Sequence, residues 1–334
     1  MKTFSVTVVI PTILTPTPTY NRLEDLRRCL NSLANQTFKD FEVLIVDNSP
    51  IADMPATVKE MLKALERKIK IRIIRDSTKN LAHVFNTGWR NTPADIVAHL
   101  NDDAEAESEW LDNIVDTFSD LRANLVGGPT IATREQEMLS LYKKEKSSRL
   151  LAIFGKLYDS VVLQRRLFDI GALCETGAYS IGGSLPFSTN LRTPIEVDLL
   201  TITNMAVSKK VLKKLGGFDE NFLFAHFDGD FFIRAKKAGY KLIFNPRVVV
   251  LHHVNPSGST RSAYYRGRDS AYFYLKSIRP KSLQGWIGYL LNIAYFNAYW
   301  LYKTWVTKNV GFLAGIRGFF DGFRHYLSVK LYDP

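Results

Sequence analysis

Only two cysteines, Cys29 and Cys174, occur in the 334 residues, and no CxxC pair is present. That excludes a disulfide framework and a thiolate metal centre, and a reducing compartment is expected. The N-terminus lacks a basic flank followed by a long apolar core, so no secretory signal peptide is expected. No GxGxxG turn follows the first apolar run. Pro11-Thr12, Pro16-Thr17 and Pro18-Thr19 stand there instead, which argues against a nicotinamide oxidoreductase. Long apolar runs are missing too. Trp286–Tyr302 is 17 residues long with two Asn and one Gly, short of the roughly 20 apolar residues a membrane span needs. Acids are scarce from Arg261 onward, where three Asp oppose eleven Lys or Arg.

What is present reads as a folded chain with one large domain or a domain plus an appendage: 46% of residues are apolar, 23% are charged and the net charge is +11. Apolar runs at Val6–Ile10, Phe41–Val46, Ile69–Ile74 and Ile96–Leu100 predict strands. Between them Leu23, Leu26, Leu30 and Leu33, then Val58, Met61, Leu62 and Leu65, then Leu81–Asn91 predict helices. Asn21 and Glu24 read as a capping box for the first, and Ser108 as the cap of a further helix carrying Trp110, Leu111, Ile114 and Phe118. Such alternation predicts an α/β fold, a Rossmann-like, mostly parallel sheet flanked by helices. Ligands of such sheets bind beyond the carboxyl ends of the strands, which singles out Pro11-Thr12, Asp47-Asn48, Arg75-Asp76 and Asn101-Asp102-Asp103. Residues 130–200 show no regular pattern. Order returns with Asp198–Val207, a helix Lys209–Leu215 and a strand Arg247–Leu251.

Three stretches carry chemistry. In HLNDDAEAE, adjacent Asp102 and Asp103 follow a strand end, and carboxylates there suit a hard divalent cation that keeps water or phosphate in its other positions. The plainer use is to cap the next helix, for which one acid would serve. In FAHFDGDFFIR, Asp228 and Asp230 sit among apolar residues, where desolvation raises a carboxyl pKa and suits a general base. Asp230 stands at i,i+4 from Arg234, a structural pairing, which leaves Asp228 as the functional acid. In VVVLHHVNPSGST, strand alternation lets at most one of His252 and His253 face a site.

Taken in order, VVIPT…TYNRLEDLRRCLNSLANQTFKDFEVLIVDNS, LNDDAE, GGFDENF…DGDFFIRAKKAGYKL and VVVLHH…GST resemble the family-two inverting glycosyltransferases over roughly residues 4–275. The resemblance implies the A-type glycosyltransferase fold with a DxD-type metal site. It implies nucleotide-sugar contacts from Pro11, Thr12, Tyr20, Asp47, Asn80 and Asp102, Mg²⁺ or Mn²⁺ on Asp103 with His252, and Asp228 as the base. Asn101 replaces the first acid of the DxD pattern, and Phe227 replaces the Glu of the usual Glu-Asp pair. The implied reaction moves a sugar from a nucleotide-diphosphate sugar to a hydroxyl of a glycan or lipid-linked acceptor. The two replacements keep open an alternative, a catalytically impaired relative that binds sugar nucleotide as a membrane scaffold. Deleting Ile13–Thr19 would restore VVIPTYNR, so this stretch reads as an insertion beside the donor, and either Thr12 or Thr19 inherits the nucleotide contact that the resemblance implies.

The division expected is a catalytic domain over 1–260, with a nucleotide-sugar half to 130 and an acceptor half beyond, then a helical region over 261–334. In that last region Phe312, Ile316, Phe319, Phe320, Phe323 and Leu327 recur at helical spacing beside Arg317 and Arg324. A basic amphipathic helix of this kind lies on an anionic membrane surface, which places the protein peripherally on the cytoplasmic face of the cell membrane. Packing on the catalytic domain or on a second copy of the chain is the competing use. No nucleic-acid module is recognisable, and no nucleic-acid partner is expected.

Overall fold

A computed structural model describes residues 4–15, 23–51, 53–132, 155–253 and 260–332. The N-terminal half alternates as its periodicity predicts: β1 (Val6–Thr12), α1 (Leu23–Ala34), β2 (Phe41–Asp47), α2 (Ala56–Leu65), β3 (Lys70–Arg75), α3 (Leu81–Arg90) and β4 (Ile96–Leu100). Short β5 (Ala104–Ala106), α4 (Trp110–Asp120), β6 (Leu125–Gly127) and β7 (Thr130–Ala132) follow. Beyond residue 155 come β8 (Ile195–Glu196), β9 (Asn204–Ser208), α5 (Lys209–Leu215), α6 (Phe227–Lys237), β10 (Leu242–Phe244) and β11 (Val250–His252). Three longer helices finish the chain: α7 (Thr260–Ser277), α8 (Leu283–Thr307) and α9 (Ala314–Tyr332).

Eight strands form one sheet in the order β3-β2-β1-β4-β9-β6-β10-β8. β1, β2, β3 and β4 are mutually parallel, β9 runs antiparallel to both β4 and β6, and β10 is parallel to β6. Successive strand residues point to opposite faces, and both faces are covered. Val8, Ile10, Val43 and Ile45 pack with α1, α2 and α4, while Val9, Leu44, Val46 and Val97 pack with α3 and the helices α5–α7. Burial on both sides is why these strands are continuous apolar runs instead of alternating ones. The chain passes from β1 outward through β2 to β3, then returns to place β4 on the other side of β1. This reversal opens a crevice between the carboxyl ends of β1 and β4, where α/β sheets hold ligands.

Three local expectations are corrected. Ser108 does not cap α4. Its carbonyl accepts from the Thr37 N–H and hydroxyl, while Glu109 stands at the N-cap without a side-chain bond and the Trp110 N–H turns back to the Glu107 carbonyl. The strand expected at Arg247–Leu251 begins at Val250, because the Asn245 side chain and carbonyl accept from the Arg247 and Val248 N–H groups and fold 245–248 into a turn. The regular part of 198–207 begins only at Asn204, whose N–H closes a turn onto the Thr201 carbonyl. Asn21 lies outside the described residues, and Glu24 pairs with Arg27.

A second, three-stranded sheet, β5-β11-β7, lies beyond β4. Its register sets His252 opposite Ala104 and Ala132, which carries the histidine pair to the end of the acidic segment.

Candidate active site

The site begins at the β1/β4 crevice. Thr12 ends β1 and donates its hydroxyl to Asp102 Oδ2 at 2.7 Å, a buried bond across the switch point of the sheet. Thr12 and Asp102, expected to share the nucleotide sugar, are thereby brought together. Pro11 lies beside them, paired with Val46 of β2. Asp47 ends β2, and its Oδ1 accepts from the N–H groups of Leu14 and Ser49 and from the Ser49 hydroxyl. The first residues of the expected insertion therefore fold back onto the β2 end, with Leu14 buried and the Thr15 N–H on Ser49 Oγ at 2.9 Å. Residues 16–19 and Tyr20 lie outside the described residues. Asn80 caps α3, accepting from the His83 N–H and donating to the Glu220 carbonyl. Its amide thus joins the first half of the chain to the segment ahead of α6.

The structure brings Asp103 and His252 together, with His252 Nε2 3.1 Å from Asp103 Oδ1. The His253 N–H holds the Asp103 carbonyl at 2.8 Å, and its ring turns instead to Glu105. Strand alternation thus divides the two histidines between two carboxylates. Buried Cys29, whose Sγ donates to the Asn101 carbonyl, lies under this segment. Burial pushes its thiol well above the ordinary range, and the charges of Asp102, Asp103 and Glu105 push it further. Negative potential is therefore concentrated here, where a cation is attracted. Among the described residues no cluster of three His, Cys, Asp or Glu could hold a metal by itself. One carboxylate and one imidazole side by side still fit a hard cation, since such ions commonly take their remaining oxygens from water and substrate phosphate.

Asp228 and Asp230, two residues apart on α6, have opposite surroundings. Asp230 is 1% exposed and saturated: it accepts from Arg234 Nε (2.8 Å) and Ser277 Oγ (2.8 Å) and pairs with Lys276 Nζ (2.8 Å). This is the structural role its spacing predicts. Among the described residues Asp228 receives only backbone N–H groups: Gly229 donates at 2.9 Å, and those of Ile202 and of Asp228 itself favour its ionised form. Burial raises its carboxyl above the ordinary range, and those backbone bonds pull against the shift. Ile202 matters for a second reason. The next residue, Thr203, accepts from the Asn101 amide at 3.1 Å. Ile202-Thr203 thus lies between the base candidate and the acidic segment at the end of β4. Asn101, in the place of an acid, is a tether. Phe227, in the place of the family's Glu, is 2% exposed and wedged between Phe85 and Phe218, each ring 5.4 Å away.

Helix α7 organises the loop that leads to Asp228. Its wholly buried Asp269 accepts from three successive N–H groups, those of Leu223, Phe224 (2.7 Å) and Ala225 (2.9 Å). His226 follows with φ +62°, its ring stacked on Phe273 and bonded to Ser270 Oγ at 2.9 Å. Burial, with the Arg266 charge behind it, lowers that ring to about 4, so it is neutral at pH 7. The sequence reading missed Ile202, Thr203, His226 and Asp269. For Asp269 one signal was available: it is a rare acid in a strongly basic stretch.

A mostly parallel α/β sheet with a polar crevice at its switch point is the kind of scaffold that holds ligands at the carboxyl ends of its strands. The glycosyl transferase family 2 profile matches residues 17–216, and the chain belongs to that family of glycosyltransferases. Sequence relatives include Glycosyltransferase AglE of Haloferax volcanii, 27% identical over 49% of this chain and 57% of its own length. Glycosyltransferase GlyA of Streptococcus pneumoniae is 25% identical over 48% of this chain and 26% of its own. The match therefore spans only about a quarter to just over half of these curated relatives. A Methanococcus voltae dolichyl N-acetyl-alpha-D-glucosaminyl phosphate 3-beta-D-2,3-diacetamido-2,3-dideoxy-beta-D-glucuronosyltransferase is 21% identical over 85% of this chain and 75% of its own. In fold, the chain matches the Pyrobaculum calidifontis mannosyltransferase PcManGT, solved with GDP-Man and Mn²⁺, at a TM-score of 0.55 and 16% identity, covering 95% of this chain and 87% of that one. The architecture is that of the A-type glycosyltransferases, with helices added at the C-terminal end.

Proposed function

We propose that this glycosyltransferase is an inverting enzyme of the hexosyltransferase type, moving a sugar from a nucleotide-diphosphate sugar to a hydroxyl of a lipid-linked or cell-surface glycan precursor. The observation that carries the reading is Asp228, a shielded carboxylate with a raised pKa that receives only backbone N–H groups among the described residues. Nearby, Thr203 bonds Asn101 of the Asn101-Asp102-Asp103 segment.

Each residue then has a task. Thr12, Asp47 and Asp102, with Pro11 and Tyr20, line the donor's nucleotide side, and Asn80 fixes α3 beside them. Asp103 and His252 would hold Mg²⁺ or Mn²⁺, which when bound neutralises charge developing on the departing diphosphate. Asp228 accepts the proton of the acceptor hydroxyl as its oxygen attacks the anomeric carbon. The raised pKa strengthens it as a base at neutral pH. The new bond forms on the face opposite the diphosphate, the C–O bond to the diphosphate breaks, and one displacement inverts the anomeric centre. Support for a lipid-linked acceptor comes from relatives named for dolichyl and undecaprenol substrates. The catalytic domain is assigned to 1–260 and the membrane-associating region to 261–334, on the cytoplasmic face of the cell membrane.

The test is a thermal-shift and turnover series over sugar nucleotides, with Mn²⁺ and with chelator, in the wild type and Asp103→Ala. A donor that raises the melting temperature only with Mn²⁺, and loses that effect in Asp103→Ala, is expected. Turnover that persists in chelator or in the variant would overturn the metal assignment. Donor binding without any turnover on lipid-linked acceptors would favour the scaffold.

A further inference from the structure

Helices α8 and α9 each bury one face and turn an apolar one outward. On α8 the inner row is Gly285, Gly288, Tyr289, Asn292 and Trp300. The opposite row runs Leu283, Ile287, Leu290, Ala294, Ala298, Leu301 and Trp305, all exposed and spaced three or four apart. Leu283 is 78% exposed and Trp305 77%. On α9 the outward row is Phe320, Phe323, Leu327 and Leu331, with Leu331 at 81%. Soluble surfaces rarely expose apolar side chains in contiguous stripes of this length.

We infer that these two stripes form a monotopic docking surface for an anionic lipid bilayer. Charge selects that occupant. Exposed Arg279, Lys281, Lys308, Arg317, Arg324 and Lys330 lie at the ends and flanks of the stripes. Of the two acids among the described residues of α7–α9, Asp269 is buried against the 223–225 loop and Asp321 is shared between Arg317 and Arg324, so one carboxylate faces six cations. A second copy of the chain would bring a net +8 onto a net +8, whereas anionic headgroups neutralise it. Trp286, Tyr299, Tyr302 and Trp305 are amphipathic rings of the kind that settle at the headgroup boundary. Among the described residues no helix is long and apolar enough to cross a membrane. The surface therefore lies in the interface.

The docked helices are fixed to the active site. A Cβ on Gly318 or Gly322 would strike the Tyr264 or Arg268 carbonyl, and one on Gly267 would strike that of Gly315. Helices α7 and α9 thus touch backbone to backbone, and α7 holds the 223–226 loop. Docking would therefore hold the loop ahead of Asp228 at a fixed position relative to the bilayer in which a lipid-linked acceptor would sit. That last step rests on the proposed transfer reaction, but the docking surface does not.

The test uses the full chain without donor or acceptor, so its outcome is separate from that of the transfer reading. Of the five tryptophans, Trp89, Trp110 and Trp300 are buried and Trp286 and Trp305 are exposed, so emission reports the proposed surface. Phosphatidylglycerol-containing vesicles should blue-shift the emission and co-sediment the protein, less so at high salt and far less with phosphatidylcholine alone. Trp305→Ser/Phe320→Ser/Leu331→Ser should melt like the wild type and partition about tenfold more weakly. Undiminished vesicle binding by that variant would overturn the assignment, as would shielding of the exposed tryptophans by concentration-dependent dimerisation without lipid.

Discussion

Asp228 and Asp230 offer a sharp test of the site, because neighbouring acids on one helix should fail in opposite ways. Asp228→Asn removes a proton acceptor and keeps the shape, so kcat should fall by about 10²–10⁴-fold, the usual contribution of a general base, with little change in KM. Stability should move the other way. Folding raises the Asp228 pKa, so its favourable contribution is complete below the unfolded-state value near 3.9 and is lost as pH rises through the folded value. At pH 7 the ionised carboxylate therefore opposes folding. The neutral amide should melt at or above the wild-type temperature there, and the advantage should vanish on acidification. Asp230→Asn should instead lose stability. It removes the charge from a 2.8 Å contact with Arg234 and a 2.8 Å contact with Lys276 in a wholly buried position. Arg234 keeps the Leu215 and Gly217 carbonyls and Lys276 keeps Asp219, which softens the loss. About 3 kcal/mol is expected, near the lower end for breaking a buried pair, enough to lower Tm by about 4 °C. Donor turnover with thermal melts from pH 4 to 8 reads both effects. A kcat within a few-fold of wild type in Asp228→Asn would remove it as the base, and an unchanged melt in Asp230→Asn would refute the structural assignment.

Other variants probe the supports of the site. Asp269→Asn should cost about 2–4 kcal/mol, since one amide cannot accept from Leu223, Phe224 and Ala225 and still receive Arg268 on its other atom. Hydrogen exchange at residues 223–225 should rise, and unaltered protection would contradict that role. His99 is wholly buried between Phe85 and Phe218, and neither ring nitrogen has a partner among the described residues. His99→Phe should therefore hold or raise Tm, and a fall of several degrees would mean that the imidazole contributes a polar contact to the fold. Burial lowers His99 to about 3. Its contribution to stability should thus be present above the unfolded-state value near 6.5 and decline by about 1.4 kcal/mol per unit as pH falls toward 3, a slope that His99→Phe should lack. Gly318→Ala should unseat α9 from α7, visible as a lower Tm, and wild-type melting would show that the seam is loose.

Periodicity was enough to read β1 to β4 and the helices between them, because a doubly covered parallel strand needs an unbroken apolar run and an amphipathic helix needs its 3.6-residue repeat. Local spacing also separated Asp230 from Asp228, since an i,i+4 partner is a short-range fact. The caps were less legible. Ser108 has the right chemistry for a cap, but its carbonyl is claimed by Thr37, 71 residues away in sequence. The same holds for Asn80, whose place in a nucleotide-sugar site and whose bonds to α3 and Glu220 concern the same amide.

The sequence by itself determined which residue types the crevice would have: Thr12, Asp47 and the Asp102-Asp103 pair follow strand ends, and strand ends converge in any sheet of this kind. Tertiary structure decided which of them touch. Thr12 reaches Asp102 because β4 returns to lie beside β1. His252 rather than His253 meets Asp103 because of the β5-β11 register, and Asn101 reaches Thr203, 102 residues away in sequence. These contacts depend on long-range pairing and on backbone groups, and neither leaves a mark in the identity of the side chains.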